Sequence, residues 1–194
     1  MLEIERKFLF DSSLEKAVLL ESDCCLLLIQ WYLSPPDNRR IRLIVDREGA
    51  KVIETVKIGY GRVRQEFEQE LSNGTLYDIG KTLRNERAVM KARYVFIRDT
   101  LEGVIDDYFV PAIGYVMEIE TSDPITEIPD PWKFWRLPQE NFEEVTDRPG
   151  YTARDLSVKL DSIVDNLPKS IVGVANDQFS RFLSLTSIVY PSDN

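Results

Sequence analysis

Leu2-Glu3-Ile4-Glu5-Arg6-Lys7-Phe8-Leu9-Phe10 alternates along its length. Leu2, Ile4, Arg6, Phe8 and Phe10 fall on one side, and Glu3, Glu5, Lys7 and Leu9 on the other, the period of two that marks a strand. The same texture recurs near 24–33, 38–46, 50–57, 62–71, 88–99, 102–109 and 114–121. Turn residues separate these runs, among them Pro35-Pro36-Asp37-Asn38, Glu48-Gly49, Gly59-Tyr60-Gly61 and Glu102-Gly103. Eight strands with short connections predict an antiparallel meander that closes into a β-barrel, an α+β fold with flanking helices.

Three segments break the pattern. Ser12 and Glu15 fit a capping box ahead of Leu14, Val18 and Leu19, predicting a helix over about 12–21. Asn73-Gly74 opens another, through about Leu83. Residues 122–138 are rich in Pro and Trp and read as an ordered loop, with Trp132 and Trp135 in packing roles. Helical periodicity returns after Tyr151 and around Phe179 to Leu185. One domain over 1–160 with a helical appendage over 161–194 is the simplest organisation.

Seven of the strands carry charged residues at i, i+2 spacing or a lone charge on the same phase. They are Glu3, Glu5 and Lys7; Arg40 and Arg42; Lys57; Arg64, Glu66 and Glu68; Lys91 and Arg93; Asp106; and Glu118 with Glu120. Spacing of two places each set on one face. The plain alternative is a wet outer face. Against it, Leu2, Ile4 and Phe8 on the opposite face of the first strand need cover. If helices and loops supply that cover, the charges line the interior. An eight-stranded barrel has room there for side chains or one small ligand. Packing about a dozen ionised groups inside costs several kcal/mol each unless counter-ions offset it. Carboxylates suit Mg²⁺ or Mn²⁺, and arginines and lysines suit phosphate oxygens, so the mixture fits a metal–polyphosphate complex.

Composition removes other chemistries. The chain contains no histidine, which excludes Ser-His-Asp and Cys-His schemes and histidine-ligated zinc. A net charge of −9 argues against a nucleic-acid partner bound through a broad basic surface. No run approaches the roughly 20 apolar residues of a membrane span, and the N-terminus lacks the apolar core of a secretory signal. The only cysteines, Cys24 and Cys25, read as buried thiols of a reducing compartment, so a cytoplasmic location is expected. A monomer and a homodimer fit the sequence equally.

In order, the motifs resemble those of the CYTH superfamily, the triphosphate tunnel metalloenzymes. Glu3-Ile4-Glu5-Arg6-Lys7 resembles its N-terminal E-x-E-x-K, and Ile29-Gln30-Trp31-Tyr32-Leu33 its second strand. Arg40-Ile41-Arg42, Thr55-Val56-Lys57, Arg64-Gln65-Glu66-Phe67-Glu68 and Lys91-Ala92-Arg93-Tyr94 follow as R-x-R, T-x-K, R-x-E-x-E and K-x-R-Y. Asp106 falls in the family's aspartate strand, Glu118-Ile119-Glu120 matches E-x-E, and Glu144-Val145-Thr146 with Tyr151 resembles its closing segment. The match covers about residues 1–160. Ala153 stands where relatives usually carry Asn.

The resemblance implies metal ligation by Glu3, Glu5, Asp106, Glu118 and Glu120, with Mg²⁺ or Mn²⁺, two ions with substrate. It implies triphosphate binding by Lys7, Arg40, Arg42, Lys57, Arg64, Lys91 and Arg93. Glu66 is expected to point inward and Glu68 to sit in an ion pair at the rim. Glu3, Glu5, Glu118 and Glu120 carry the catalytic expectation. Tyr32 joins them if its hydroxyl reaches the lumen and biases which substrate end is cut; the alternative is a core aromatic. The implied reaction is in-line attack of water on a terminal phosphorus, converting inorganic triphosphate to pyrophosphate and phosphate. Class IV adenylate cyclase, thiamine triphosphatase and a non-catalytic polyphosphate-binding module remain alternatives.

Overall fold

The computed structural model describes residues 2–11, 14–33, 39–46, 49–60, 63–72, 83 and 86–159. The expected helix over 74–83 and the appendage over 161–194 lie outside the described residues, Leu83 apart. Eight strands run β1 (Leu2–Phe10), β2 (Cys24–Tyr32), β3 (Arg39–Val45), β4 (Ala50–Tyr60), β5 (Val63–Glu70), β6 (Arg87–Arg98), β7 (Leu101–Val110) and β8 (Gly114–Thr121). Every neighbouring pair is antiparallel, in the order β6-β2-β3-β4-β5-β1-β8-β7, and β7 pairs back onto β6. The sheet therefore closes, and no edge of the eight is left open.

Closure divides each strand into a lumen phase and an outer phase. Register carries one phase round the barrel: Glu5 faces Glu120, Glu118 faces Val104, Asp106 faces Arg93, and Lys91 faces Leu28. It continues through Gln30 opposite Arg42, Arg40 opposite Thr55, Lys57 opposite Glu66 and Arg64 opposite Glu3. All of these side chains share the inside, so the alternation in the sequence is that of a charged lumen and not of a wet exterior.

The apolar phase is buried on the outside of the barrel. One outer cluster gathers Leu27, Ile29, Trp31, Ile41, Leu43, Val52, Leu83 and Met90. A second gathers Phe8, Phe10, Phe96, Ile105, Met117, Ile119 and Trp135. Its cover comes from α1 (Lys16–Leu20) and from α2 (Pro131–Trp135), which lies inside the segment read as a loop. Trp135 stacks on Phe142 with centroids 6.4 Å apart and meets Phe96 edge-on, the packing expected of these aromatics. Gly103 admits this helix: a Cβ there would lie 2.3 Å from the Phe134 ring.

Two short strands were not legible in the alternation. β9 (Phe142–Glu144) pairs with β1, and β10 (Val158–Lys159) pairs with β6. Arg6 points outward and grips Glu144 with both arms of its guanidinium (Nε–Oε1 3.2 Å, Nη2–Oε2 2.8 Å). The Lys7 amide donates to Thr146 Oγ1, and the Val145 amide donates to the Lys7 carbonyl. The Glu144-Val145-Thr146 motif thus braces β1 from outside, while Glu3, Glu5 and Lys7 face in.

α3 (Ala153–Leu156) is a single turn held by a capping box between Thr152 and Asp155. Its Ala153 and Leu156 pack on a lumen-phase cluster of Tyr32, Val89, Tyr108 and Val116, with Leu9 beside them. Arg154 donates to the Leu33 carbonyl at 3.1 Å and lies over the Tyr32 ring. This explains why Leu9 and Val116 sit in the charged phase of their strands: one end of the lumen is apolar and covered by α3. Ala153 contributes a methyl-sized contact there.

Two expectations fail. α1 starts at Lys16 with Glu15 as its N-cap and no side-chain cap bond, so the helix does not begin from a capping box at Ser12. Cys24 and Cys25 are exposed thiols outside any disulfide, not buried ones. They open β2, where the strand emerges beyond the cover that buries its later residues. Among the described residues no helix is long and apolar enough to cross a membrane.

Candidate active site in the barrel lumen

Most lumen charges are held in opposite-sign contacts, and their distribution is uneven. Asp106 is completely buried and accepts from Lys91 Nζ at 2.5 Å and from both arms of Arg93 at 2.7 Å. Glu118 accepts from Lys7 Nζ at 2.8 Å and from Arg93 at 3.3 Å. Burial alone would raise both carboxyls, but Lys7, Lys91 and Arg93 outweigh it and hold them below the ordinary range. These two carboxylates are therefore satisfied anions locked among cations.

Glu3, Glu5 and Glu120 form a different group. Each offers a carboxylate oxygen, and the three lie within 4.8 Å of one another. Lys57 Nζ donates to Glu3 Oε1 at 2.5 Å, and Arg64 pairs with Glu5. Glu3 Oε2 is buried with no hydrogen-bond partner among the described residues. Glu120 has no ion pair there either, and burial with the Glu118 charge pushes its carboxyl up to about 8. Burial also raises Glu3 despite Lys57. An orphaned oxygen and two carboxyls that resist ionisation are what a hard divalent cation would relieve, so the donor set suits Mg²⁺ or Mn²⁺.

Cations line much of the facing wall, from β3 and β4. Arg40 donates to Glu66 at 2.5 Å, and Arg42 bonds Thr55 Oγ1 at 3.2 Å while pairing with Glu68. Glu66 points into the lumen and Glu68 sits half-exposed at the rim, as the sequence suggested. Burial, Arg40 and Arg93 pull the Arg42 guanidinium down to about 9, which still leaves it charged at neutral pH. Burial and Arg40 lower Lys57, and burial and Arg93 lower Lys91 to about 8. The Nε atoms of Arg40, Arg42 and Arg64 are buried and unbonded among the described residues. Crowded cations with unused donors are arranged for an anion.

All twelve predicted ligand and phosphate-binding residues thus share one lumen, but the five acids divide into a triad and a locked pair. Tyr32 faces the lumen and packs in the apolar cluster at the covered end. Its hydroxyl accepts from Gln30 Nε2, and burial raises its pKa. Gln30 and Thr55 carry no charge, so a search for alternating charges passes over them. Their signal is phase: each lies two residues before a lumen position, Tyr32 or Lys57.

The described residues thus form a closed antiparallel barrel with a buried acid triad beside crowded cations, and the motifs on its strands resemble those of the triphosphate tunnel metalloenzymes. Solved structures similar to this chain include the inorganic triphosphatase NE1496, at 25% identity over 83% of this chain and 95% of that one, with a TM-score of 0.48. A structure described as the hypothetical protein NE1496 matches at 26% identity over 80% and 97%, TM-score 0.49. The PH1012 protein from Pyrococcus horikoshii OT3 matches at 15% identity over 73% and 94%, TM-score 0.48. No family model and no curated protein matches the sequence.

Proposed function

We propose that this protein hydrolyses a small triphosphate in a metal-dependent reaction, with inorganic triphosphate as substrate and pyrophosphate and phosphate as products. One observation carries the reading: a buried carboxylate triad with an orphaned oxygen lies in the same closed lumen as guanidinium donors that have no partner among the described residues. A polyanion alone would satisfy the arginines and leave the triad worse off. A cation alone would do the reverse. The pair of ligands neutralises both.

In this reading Arg40, Arg42, Lys57 and Arg64 hold phosphoryl oxygens along one wall. Lys7, Lys91 and Arg93 do so from positions fixed by Asp106 and Glu118. A divalent ion held by Glu3, Glu5 and Glu120 would neutralise phosphate charge and lower the pKa of a bound water. Glu66 keeps Arg40 and Lys57 oriented, and Tyr32 with Gln30 marks the covered end of the site. Asp106 and Glu118 serve as the fixed counter-charges that keep three cations in place.

Phosphate release from tripolyphosphate, ATP and thiamine triphosphate, each with Mg²⁺ or Mn²⁺ and with EDTA, tests the proposal. EDTA-sensitive release that is fastest with tripolyphosphate is expected. Binding of tripolyphosphate without release of phosphate from any of the three would overturn it in favour of a binding module.

A further inference from the structure

Among the described residues, β5 runs beside β1 from Leu2 to Ile4, and β9 takes over from Phe8 to Phe10. Lys7 falls in the interval between these two pairings, and both of its backbone polar groups turn towards it. Loop residues meet them there instead of a strand. The Val145 amide donates to the Lys7 carbonyl at 2.8 Å, and the Lys7 amide donates to Thr146 Oγ1 at 3.0 Å. The Thr146 hydroxyl donates in turn to Glu144 Oε1 at 2.8 Å, the oxygen that Arg6 Nε also reaches. Arg6 is anchored further on, with Nη1 3.4 Å from the Ile128 and Pro129 carbonyls. A side-chain hydroxyl therefore stands in for a strand partner, accepting from Lys7 and donating to a fixed carboxylate.

The side chain of Lys7 joins the two groups of acids in the lumen. Its Nζ lies 2.8 Å from Glu118 of the locked pair and 3.7 Å from Glu5 of the triad. A shift of β1 at this residue would move a phosphate-binding ammonium and a counter-charge of the triad together. Misplacement of a positioned group by about 1 Å can cost about 100-fold in rate. We propose that Thr146 is a positioning residue for Lys7. Its hydroxyl fixes the backbone from which the ammonium reaches the anion, so it sets affinity for tripolyphosphate without touching it. The inference rests on the triphosphatase reading for the identity of that anion.

The test is steady-state phosphate release from tripolyphosphate with Mg²⁺, with thermal unfolding of every variant alongside. Thr146→Val keeps the shape of the side chain and removes both hydrogen bonds; KM is expected to rise at least fivefold, with a smaller change in kcat. Thr146→Ser keeps the hydroxyl and is expected to stay within twofold of the parent. Val145→Ala opens a cavity at a buried position but retains the amide bond to Lys7, so it should lower the melting temperature and leave KM within twofold. In a Lys7→Met background, Thr146→Val should change KM less than twofold, because the group it positions is gone. An unchanged KM in Thr146→Val, no recovery in Thr146→Ser, or an equal rise in Val145→Ala would overturn the inference and leave the proposed hydrolysis untouched. A parent that releases no phosphate would sink the functional reading instead, and calorimetric affinities for tripolyphosphate across the same variants would then decide the role of Thr146 by the same ratios. A parent that neither cleaves nor binds tripolyphosphate would sink both.

Discussion

Replacing Glu120 by Gln should flatten the pH dependence of stability of the metal-free protein. The Glu120 carboxyl sits at about 8 in the fold, against roughly 4.5 when exposed in an unfolded chain. A raised folded pKa means that the native state holds this proton while the unfolded state has lost it. The contribution is therefore fully favourable below about 4.5 and is lost as pH rises towards 8. Linkage for a single site with these two values gives a loss of about 3 kcal/mol between pH 5.5 and 8. Glu3, also raised by burial, acts with the same sign. Lys91, lowered to about 8, acts with the opposite sign but above that pH, where stability rises again towards the ordinary lysine range. Asp106 and Glu118 are lowered, so their contribution is lost only in acid, below the window. Urea unfolding in EDTA at half-unit steps from pH 5.5 to 8 reads the effect as a falling midpoint. The parent midpoint should fall steadily, and that of Glu120→Gln should fall much less. Mg²⁺ at millimolar concentration should restore the parent at pH 8 and not the variant. Parallel curves for parent and variant in EDTA would refute the claim that Glu120 is buried with no ion pair among the described residues to hold its charge.

Three further outcomes follow from the geometry. On the proposed function, Arg42→Ala removes a guanidinium placed to meet the substrate before and during reaction, so KM should rise and kcat fall; a charge-assisted contact of about 1.5–3 kcal/mol corresponds to roughly 10- to 100-fold in kcat/KM, measured by phosphate release. Gly103→Ala forces a methyl group against Phe134, at 2.3 Å, and should destabilise the fold by about 1–3 kcal/mol in thermal unfolding without altering KM. Tyr32→Phe should change the ratio of ADP plus phosphate to AMP plus pyrophosphate formed from ATP, and an unchanged ratio would confine Tyr32 to a packing role.

The lumen was legible because period two is a local property of each strand, and closure only had to bring equal phases together. Glu3, Lys7 and Arg42 alternate with apolar residues of their own strands, whereas Val116 and Ile119 left Glu118 less cleanly placed. What resisted was information that crosses strands. Asp106 and Glu118 look like Glu3 and Glu120 in sequence, yet Lys91 and Arg93 reach the first pair, while among the described residues no cation forms an ion pair with Glu120 and Lys57 leaves Glu3 Oε2 unbonded. Leu9 and Val116 blurred their patterns for a similar reason. Their place at the covered end depends on α3, 37 to 40 residues away in the chain for Val116 and at least 144 for Leu9. The exposed Cys24 and Cys25 show the limit of composition as a guide, since exposure there is decided by where β2 leaves its cover.

The separation of the acids also constrains what binding can do. On the proposed function, a phosphate chain drawn to Arg40, Arg42 and Arg64 would compete with Glu66, Glu68 and Glu5 for the same guanidinium groups. Each contact made with substrate frees a carboxylate, and Glu5 is freed inside the triad. Anion binding therefore raises the negative charge available to a cation, and cation binding in turn releases Arg64 from Glu5. The two ligands are coupled through one ion pair, and by linkage each must raise the affinity for the other by the same factor. Arg64→Gln should abolish that mutual enhancement: the parent should bind tripolyphosphate more tightly with Mg²⁺ present, beyond the effect of Mg²⁺ on tripolyphosphate in free solution. An equal enhancement in Arg64→Gln would show that the ligands meet only each other and that the Arg64–Glu5 contact is a passive brace.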